Sequence, residues 1–157
     1  MDNKSIFFVL IIIILLLIVG LMGYNLLFNN TKNSTSETII VGSANFTLPN
    51  GYSKGTPNTY GDLNITNGKI SIFLLEYPDN NVRKHIEDYE NINGGNQSLV
   101  LSNFTYNGIV VFKGINDHSN TVHYWYVYNN KTYSIYSWDY NKLDDTVKDL
   151  IQLQKFQ

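Results

Sequence analysis

Three histidines, His85, His118 and His123, are the side chains of this chain best suited to move protons or hold a metal near neutral pH. Asp117-His118 and His123 would offer a carboxylate and two imidazoles to a divalent ion. Their spacing matches no recognised ligand set, however, and Asp117-His118-Ser119-Asn120 reads as a polar loop, so no metal is expected. His85 falls three residues after Val82 and four before Tyr89, on the flank of an apolar helical face, which suits a boundary residue better than a ligand. A serine nucleophile needs a base and an orienting acid, and Ser137, His123 and Asp139 sit close together in the chain. Strand parity separates them. With a turn at Asn130-Lys131, His123 lies opposite Trp138 and projects away from Ser137 and Asp139, because successive side chains alternate between faces. The chain has no Gly-x-Ser-x-Gly elbow, no glycine-rich phosphate loop and no His-Glu-x-x-His helix. Glu87-Asp88 and Asp144-Asp145 read as solvated helix faces and dipole partners. No catalytic residue and no cofactor are therefore assigned, and a structural subunit of a cell-envelope complex and a hydrolase using the His118/His123 region are kept as alternatives.

The feature that exceeds background is aromatic. Around a predicted hairpin, His123, Trp125, Val127, Thr132, Ser134, Tyr136 and Trp138 share one face, while Tyr124, Tyr126, Tyr128, Tyr133 and Ile135 share the other. One face must serve as core. The other would expose large rings, which suit stacking on sugars or burying a partner's anchor residues. Trp125, Tyr136 and Trp138 are the candidate binding residues.

These side chains need elements to hold them. Ile39-Ile40-Val41 and Phe46-Thr47-Leu48 predict a first β-rich segment, closed by Pro49-Asn50-Gly51. Asn67-Gly68 and Asn107-Gly108 predict two-residue type I′ hairpins, because both positions of that turn require positive φ. A third hairpin joins Val122–Tyr128 to Thr132–Tyr140 through Asn129-Asn130-Lys131. Pro78-Asp79-Asn80-Asn81 opens a helix with Val82, Ile86 and Tyr89 on one face, and Asn93-Gly94-Gly95 ends it. A last helix carries the stripe Leu143, Val147, Leu150 and Ile151, with Lys155 at its C-terminal end. The order predicts an α+β fold, an antiparallel sheet of about six or seven strands covered by two helices.

The run Phe46-Thr47-Leu48-Pro49-Asn50-Gly51-Tyr52 resembles the opening of PsbP-like domains, and the element order over roughly the last 115 residues is similar to theirs. The resemblance implies an accessory or binding module and brings no functional motif with it.

At the other end, residues 6–28 run from Ile6 to Phe28 without a charge or a proline. This length spans a bilayer, which needs about 20 apolar residues, so one transmembrane helix is expected ahead of the domain. The expected organisation is a cytoplasmic head over residues 1–5, the anchor over 6–28, a polar stalk over 29–37 and an extracytoplasmic domain over 38–157. Lipid is then one partner, and a cell-wall glycan or a surface protein of the envelope is another. Lys and Arg are scattered and the net charge is −2, which offers nucleic acid no basic surface. With no cysteine, disulfides and thiolate chemistry are excluded.

Replacing Leu15 and Leu16 by arginine places two charges at the predicted bilayer centre, each costing about 2.5–3.5 kcal/mol. The unmodified chain is expected to stay with membranes through carbonate extraction, and the double variant to be released.

Overall fold

The computed structural model describes residues 37–92, 99–138 and 142–156. The predicted anchor and all of the stalk except Glu37 lie outside them, and among the described residues no helix is long and apolar enough to cross a membrane. The elements are β1 (Thr38–Val41), β2 (Ala44–Thr47), β3 (Ser53–Lys54), β4 (Leu63–Thr66), β5 (Ser71–Tyr77), α1 (Val82–Ile92), β6 (Leu99–Tyr106), β7 (Ile109–Asn116), β8 (Thr121–Tyr128), β9 (Lys131–Ser137), α2 (Asp144–Gln152) and β10 (Gln154–Phe156). A seven-stranded antiparallel sheet runs β3-β4-β5-β9-β8-β7-β6, and a smaller sheet runs β1-β2-β10. The α+β architecture, with two helices, is as the element order predicts.

The turns follow local chemistry in three different ways. Asn107 and Gly108 take φ of 49° and 78° between paired Tyr106 and Ile109, the expected two-residue turn. Asn67-Gly68 behaves otherwise. Thr66 pairs with Ser71 across a four-residue connection, because Asn67 Oδ1 accepts the N–H groups of Lys69 and Ile70 at 3.0 Å and only Gly68 takes positive φ. At the third hairpin both Asn129 (φ 47°) and Asn130 (φ 63°) are left-handed and Tyr128 pairs with Lys131. The loop is thus one residue shorter than predicted, and His123 lies opposite Tyr136 rather than Trp138. A shift of two in register keeps every side chain on its predicted face.

Two further differences lie at the ends of the domain. Residues 39–48 form a tight hairpin, not one segment, turning at Gly42-Ser43. Gly42 takes a left-handed φ of 59°, and a Cβ there would lie 2.3 Å from Glu76 Cδ and displace that carboxylate. Lys155 is not at a helix terminus: α2 stops at Gln152, and the chain turns through Leu153 to pair β10 with β2. The free edge of β2 and an acceptor role for Gln154, whose Oε1 takes the buried Tyr126 hydroxyl at 2.9 Å, favour a strand there.

The core lies on one side of the large sheet. Ile65, Ile72, Leu74, Val111, Val122, Tyr124, Tyr126, Tyr133 and Ile135 pack beneath Leu143, Val147, Leu150 and Ile151 of the α2 region and beneath Ile39, Val41, Ala44 and Phe46 of the small sheet. Leu150→Ala removes a fully buried side chain and is expected to cost about 2–5 kcal/mol. Ile40→Ala, at a site 56% exposed, should change stability by about 0.5 kcal/mol at most. Urea-unfolding midpoints of the two variants test this ordering.

Candidate functional site

The opposite face of the large sheet is covered by α1. Asn81 starts this helix by accepting the Lys84 N–H on its Oδ1 at 3.2 Å, and Asp79 Oδ1 accepts the Asn81 N–H at 2.9 Å. The same Asp79 oxygen meets His85 Nε2 at 2.9 Å, while the His85 ring stacks on Tyr77 with centroids 3.7 Å apart. One turn later Tyr89 lies over the sheet, 4.4 Å from the His123 ring and 5.4 Å from Trp125. His85 thus takes the boundary position its spacing indicates.

The three aromatic candidates therefore sit at different depths. Trp125 is 1% exposed and Tyr136 5%, whereas Trp138 is 44% exposed. Alternation along β9 places Tyr136 and Trp138 side by side, and both rings meet Phe73 of β5, at 5.3 and 4.8 Å. Trp125 closes the far side of His123, edge to face at 4.9 Å. The second aromatic face is thus mostly enclosed rather than open, because α1 brings its own rings to cover it.

What stays open is a cleft beside Trp138. Its cavity, about 210 Å³, is lined by Tyr60, Asp62, Tyr77, His123, Tyr136 and Trp138 among others. A neighbouring cavity of about 250 Å³ between α1 and β8 shares Tyr77, Tyr89 and His123 with it. The outer wall comes from the loop between β3 and β4. Asn58 folds this loop by accepting the N–H groups of Tyr60 and Asp62 on Oδ1, both at 2.9 Å. Its Nδ2 donates to the Tyr136 hydroxyl at 2.8 Å and to Asp62 Oδ2 at 2.9 Å, and the Tyr136 hydroxyl donates to that same carboxylate oxygen. Burial, then the Asp62 carboxylate, pushes the Tyr136 phenol well above its ordinary range, so it remains a donor. Among the described residues nothing donates to Asp62 Oδ1 at the cleft, and Tyr60 is 82% exposed at its rim. Such a site can hold a ring between aromatic surfaces and accept a hydrogen bond from it. Asn58, Tyr60 and Asp62 were not singled out by sequence; they occupy a loop without periodicity, and their contact with Tyr136 spans 74–78 residues.

His123 forms the floor of this cleft. Its Nδ1 is buried without a hydrogen-bond partner, and burial pushes the imidazole down to about 3. A general base works best with a pKa near the working pH, so His123 is a poor one here. His118 lies elsewhere, on the exposed turn between β7 and β8, its N–H bonded to Asn116 Oδ1 at 3.1 Å. Ser137 is buried on the core side, opposite Val122; Asp139 lies outside the described residues. Among the described residues no group of three or more His, Asp or Glu side chains is placed to hold a metal.

No family model matches the chain and no curated protein is similar to it. Among solved structures it is similar to the solution structure of cyanobacterial PsbP (CyanoP) from Synechocystis sp. PCC 6803, at 9% identity over 80% of this chain and 96% of that one, with a TM-score of 0.47. It is also similar to a crystal structure from Bacteroides thetaiotaomicron VPI-5482, at 8% identity over 73% of this chain and 45% of that one, with a TM-score of 0.42. Both are likenesses of outline and bear on no residue's role.

The His123 environment sets a pH dependence. The unfolded chain binds a proton near 6.5 that the folded imidazole refuses until about 3, so stability is full above 6.5 and falls as the pH is lowered between these values. The slope is at most about 1.4 kcal/mol per pH unit. Asp79 and Asp144 are also lowered, the first mainly by the Asn81 N–H, the second because hydrogen bonds from Lys113 and Tyr124 outweigh its burial. Their contributions are lost only below about pH 4, where unfolded carboxyls take up protons. Unfolding midpoints between about pH 6.5 and 4.5 should thus slope in the parent chain and flatten in His123→Phe; equal slopes would show that the fold accommodates the charged ring.

Proposed function

We propose that this chain is a single-pass membrane protein whose extracytoplasmic domain is a non-enzymatic binding or accessory module, with its ligand seated in the cleft beside Trp138. The observation that carries this reading is the pairing of open rings, Trp138 and Tyr60, with a carboxylate whose second oxygen is already held by Tyr136 and Asn58. A pyranose has an apolar face for such rings and hydroxyl donors for the remaining oxygen of Asp62, so an envelope glycan fits the cleft chemically. His123 and Tyr136 then act as the rigid floor, Trp125 supports His123 from behind, and Trp138 is the contact. The apolar run Ile6–Phe28 supports the anchor, and the short head before it with the long polar segment behind it supports an outside location.

The chain has only two tryptophans, one buried and one at the cleft, so fluorescence reports on the site directly. Titration with chitin-derived and peptidoglycan-derived oligosaccharides is expected to change the Trp138 emission. Trp138→Ala should weaken binding at least about tenfold, the equivalent of about 1.4 kcal/mol. Equal affinity in the parent and Trp138→Ala chains, or no binding by either oligosaccharide class, would refute the glycan reading.

A further inference from the structure

The large sheet ends at β6, and this edge lacks the devices that keep sheet edges from pairing. Its eight residues stay in unbroken register with β7 from Leu99 opposite Asn116 to Tyr106 opposite Ile109. None of Leu99-Val100-Leu101-Ser102-Asn103-Phe104-Thr105-Tyr106 is charged or a proline, and no bulge interrupts the strand. Among the described residues nothing pairs with its outer side. The other edge of the sheet differs in each respect: β3 is two residues long and includes Lys54. Along the outer side of β6, alternate residues present free N–H and C=O groups to an incoming strand.

Beside this edge, on the α1 face, lies a cavity of about 310 Å³. Val82 and Ile86 of α1, Leu101 of β6 and Phe112 of β7 give it apolar walls, and Leu101 is 47% exposed. Gly114, paired with Leu101, leaves room below: a Cβ there would press on Leu99, Leu101 and Trp125 at 3.2–3.3 Å. Arg83, Glu87 and Glu90 line the same cavity and form no ion pair among the described residues, so the site carries an excess of negative charge. None of its lining residues belongs to the cleft beside Trp138.

We propose that β6 and this cavity form a second binding site, for an extended segment of another protein that adds to the sheet as a further strand. One large apolar side chain of that segment enters the cavity between α1 and β6. Main-chain hydrogen bonds to the edge hold the segment, and the cavity selects its sequence. Glu87 and Glu90 favour lysine or arginine two residues either side of the apolar one, since residues at that spacing in a strand share a face. A second copy of β6 carries no basic residue to offer these carboxylates, which is why a different, basic segment fits the site.

The probe is a fluorescein-labelled peptide Thr-Lys-Thr-Phe-Thr-Lys-Thr, titrated by anisotropy against the full chain in detergent micelles. It is expected to bind. The same peptide with its central residue changed to serine, or N-methylated at alternate amides along each edge, should bind at least tenfold more weakly. Leu101→Asp should lose binding to the same extent, with an unchanged urea-unfolding midpoint as its control. Should that variant not fold, the N-methylated peptide makes the same test on the parent chain. Trp138→Ala should bind the peptide normally, which separates this site from the glycan cleft. No binding of the parent peptide, or binding indifferent to N-methylation, overturns the proposal. So does an oxidative dimer of Ser102→Cys in this otherwise cysteine-free chain, because it would give the edge to a second copy.

Discussion

In β8 and β9 both sets of alternating side chains are large: Tyr124, Tyr126, Tyr133 and Ile135 point one way, and His123, Trp125 and Tyr136 the other. Burial of each ring is worth roughly 1.5–3 kcal/mol, and water on either face would forfeit it. The remaining layers answer this requirement. On one side α2 and the β1-β2-β10 sheet close over the tyrosines; on the other, α1 brings Tyr89 down over His123 and Trp125. The order of the large sheet serves the same end, with β9 and β8 near its middle.

Burying tyrosines also commits the fold to finding acceptors for their hydroxyls. Tyr124 donates to Asp144 Oδ1 at 2.7 Å, where Lys113 also donates, and this ties the start of α2 to the sheet. Tyr126 donates to Gln154, which places β10. Tyr133 donates to Glu76 Oε2 at 2.7 Å, and the same oxygen accepts the N–H and hydroxyl of Ser43 from the β1–β2 turn. Burial pushes the Tyr133 phenol up to about 12, so this donor persists at every physiological pH. On the other face Tyr136 recruits Asp62 and Asn58, and so builds the wall of the candidate cleft. Each ring thus fixes a peripheral element through one polar atom, and the cleft arises from the same rule that anchors the core.

Much of this was legible in the chain. The alternation of β8 and β9 gave the correct faces even though the register was two residues out, because parity survives an even shift. Asn107-Gly108 predicted its turn, as the left-handed preference of those residues acts locally. Asn67-Gly68 did not, since the Asn67 side chain had a second option in capping the backbone of Lys69 and Ile70. The position of His85 at the helix boundary was also readable, but its stacking on Tyr77 was not.

Periodicity and turn chemistry are properties of neighbouring residues. The sequence by itself therefore determined the strands of the large sheet other than the short β3, both helices, the faces of the aromatic hairpin and the apolar run at residues 6–28. Which aromatic face lay open depended on where α1 folds back, and that is settled by packing between segments dozens of residues apart. Only the tertiary structure could enclose Trp125, leave Trp138 at a rim, bring Asp62 to Tyr136 and make β6 the last strand of the large sheet among the described residues. Contacts at such separation are chosen by shape and by the satisfaction of buried polar atoms, and no local pattern records them.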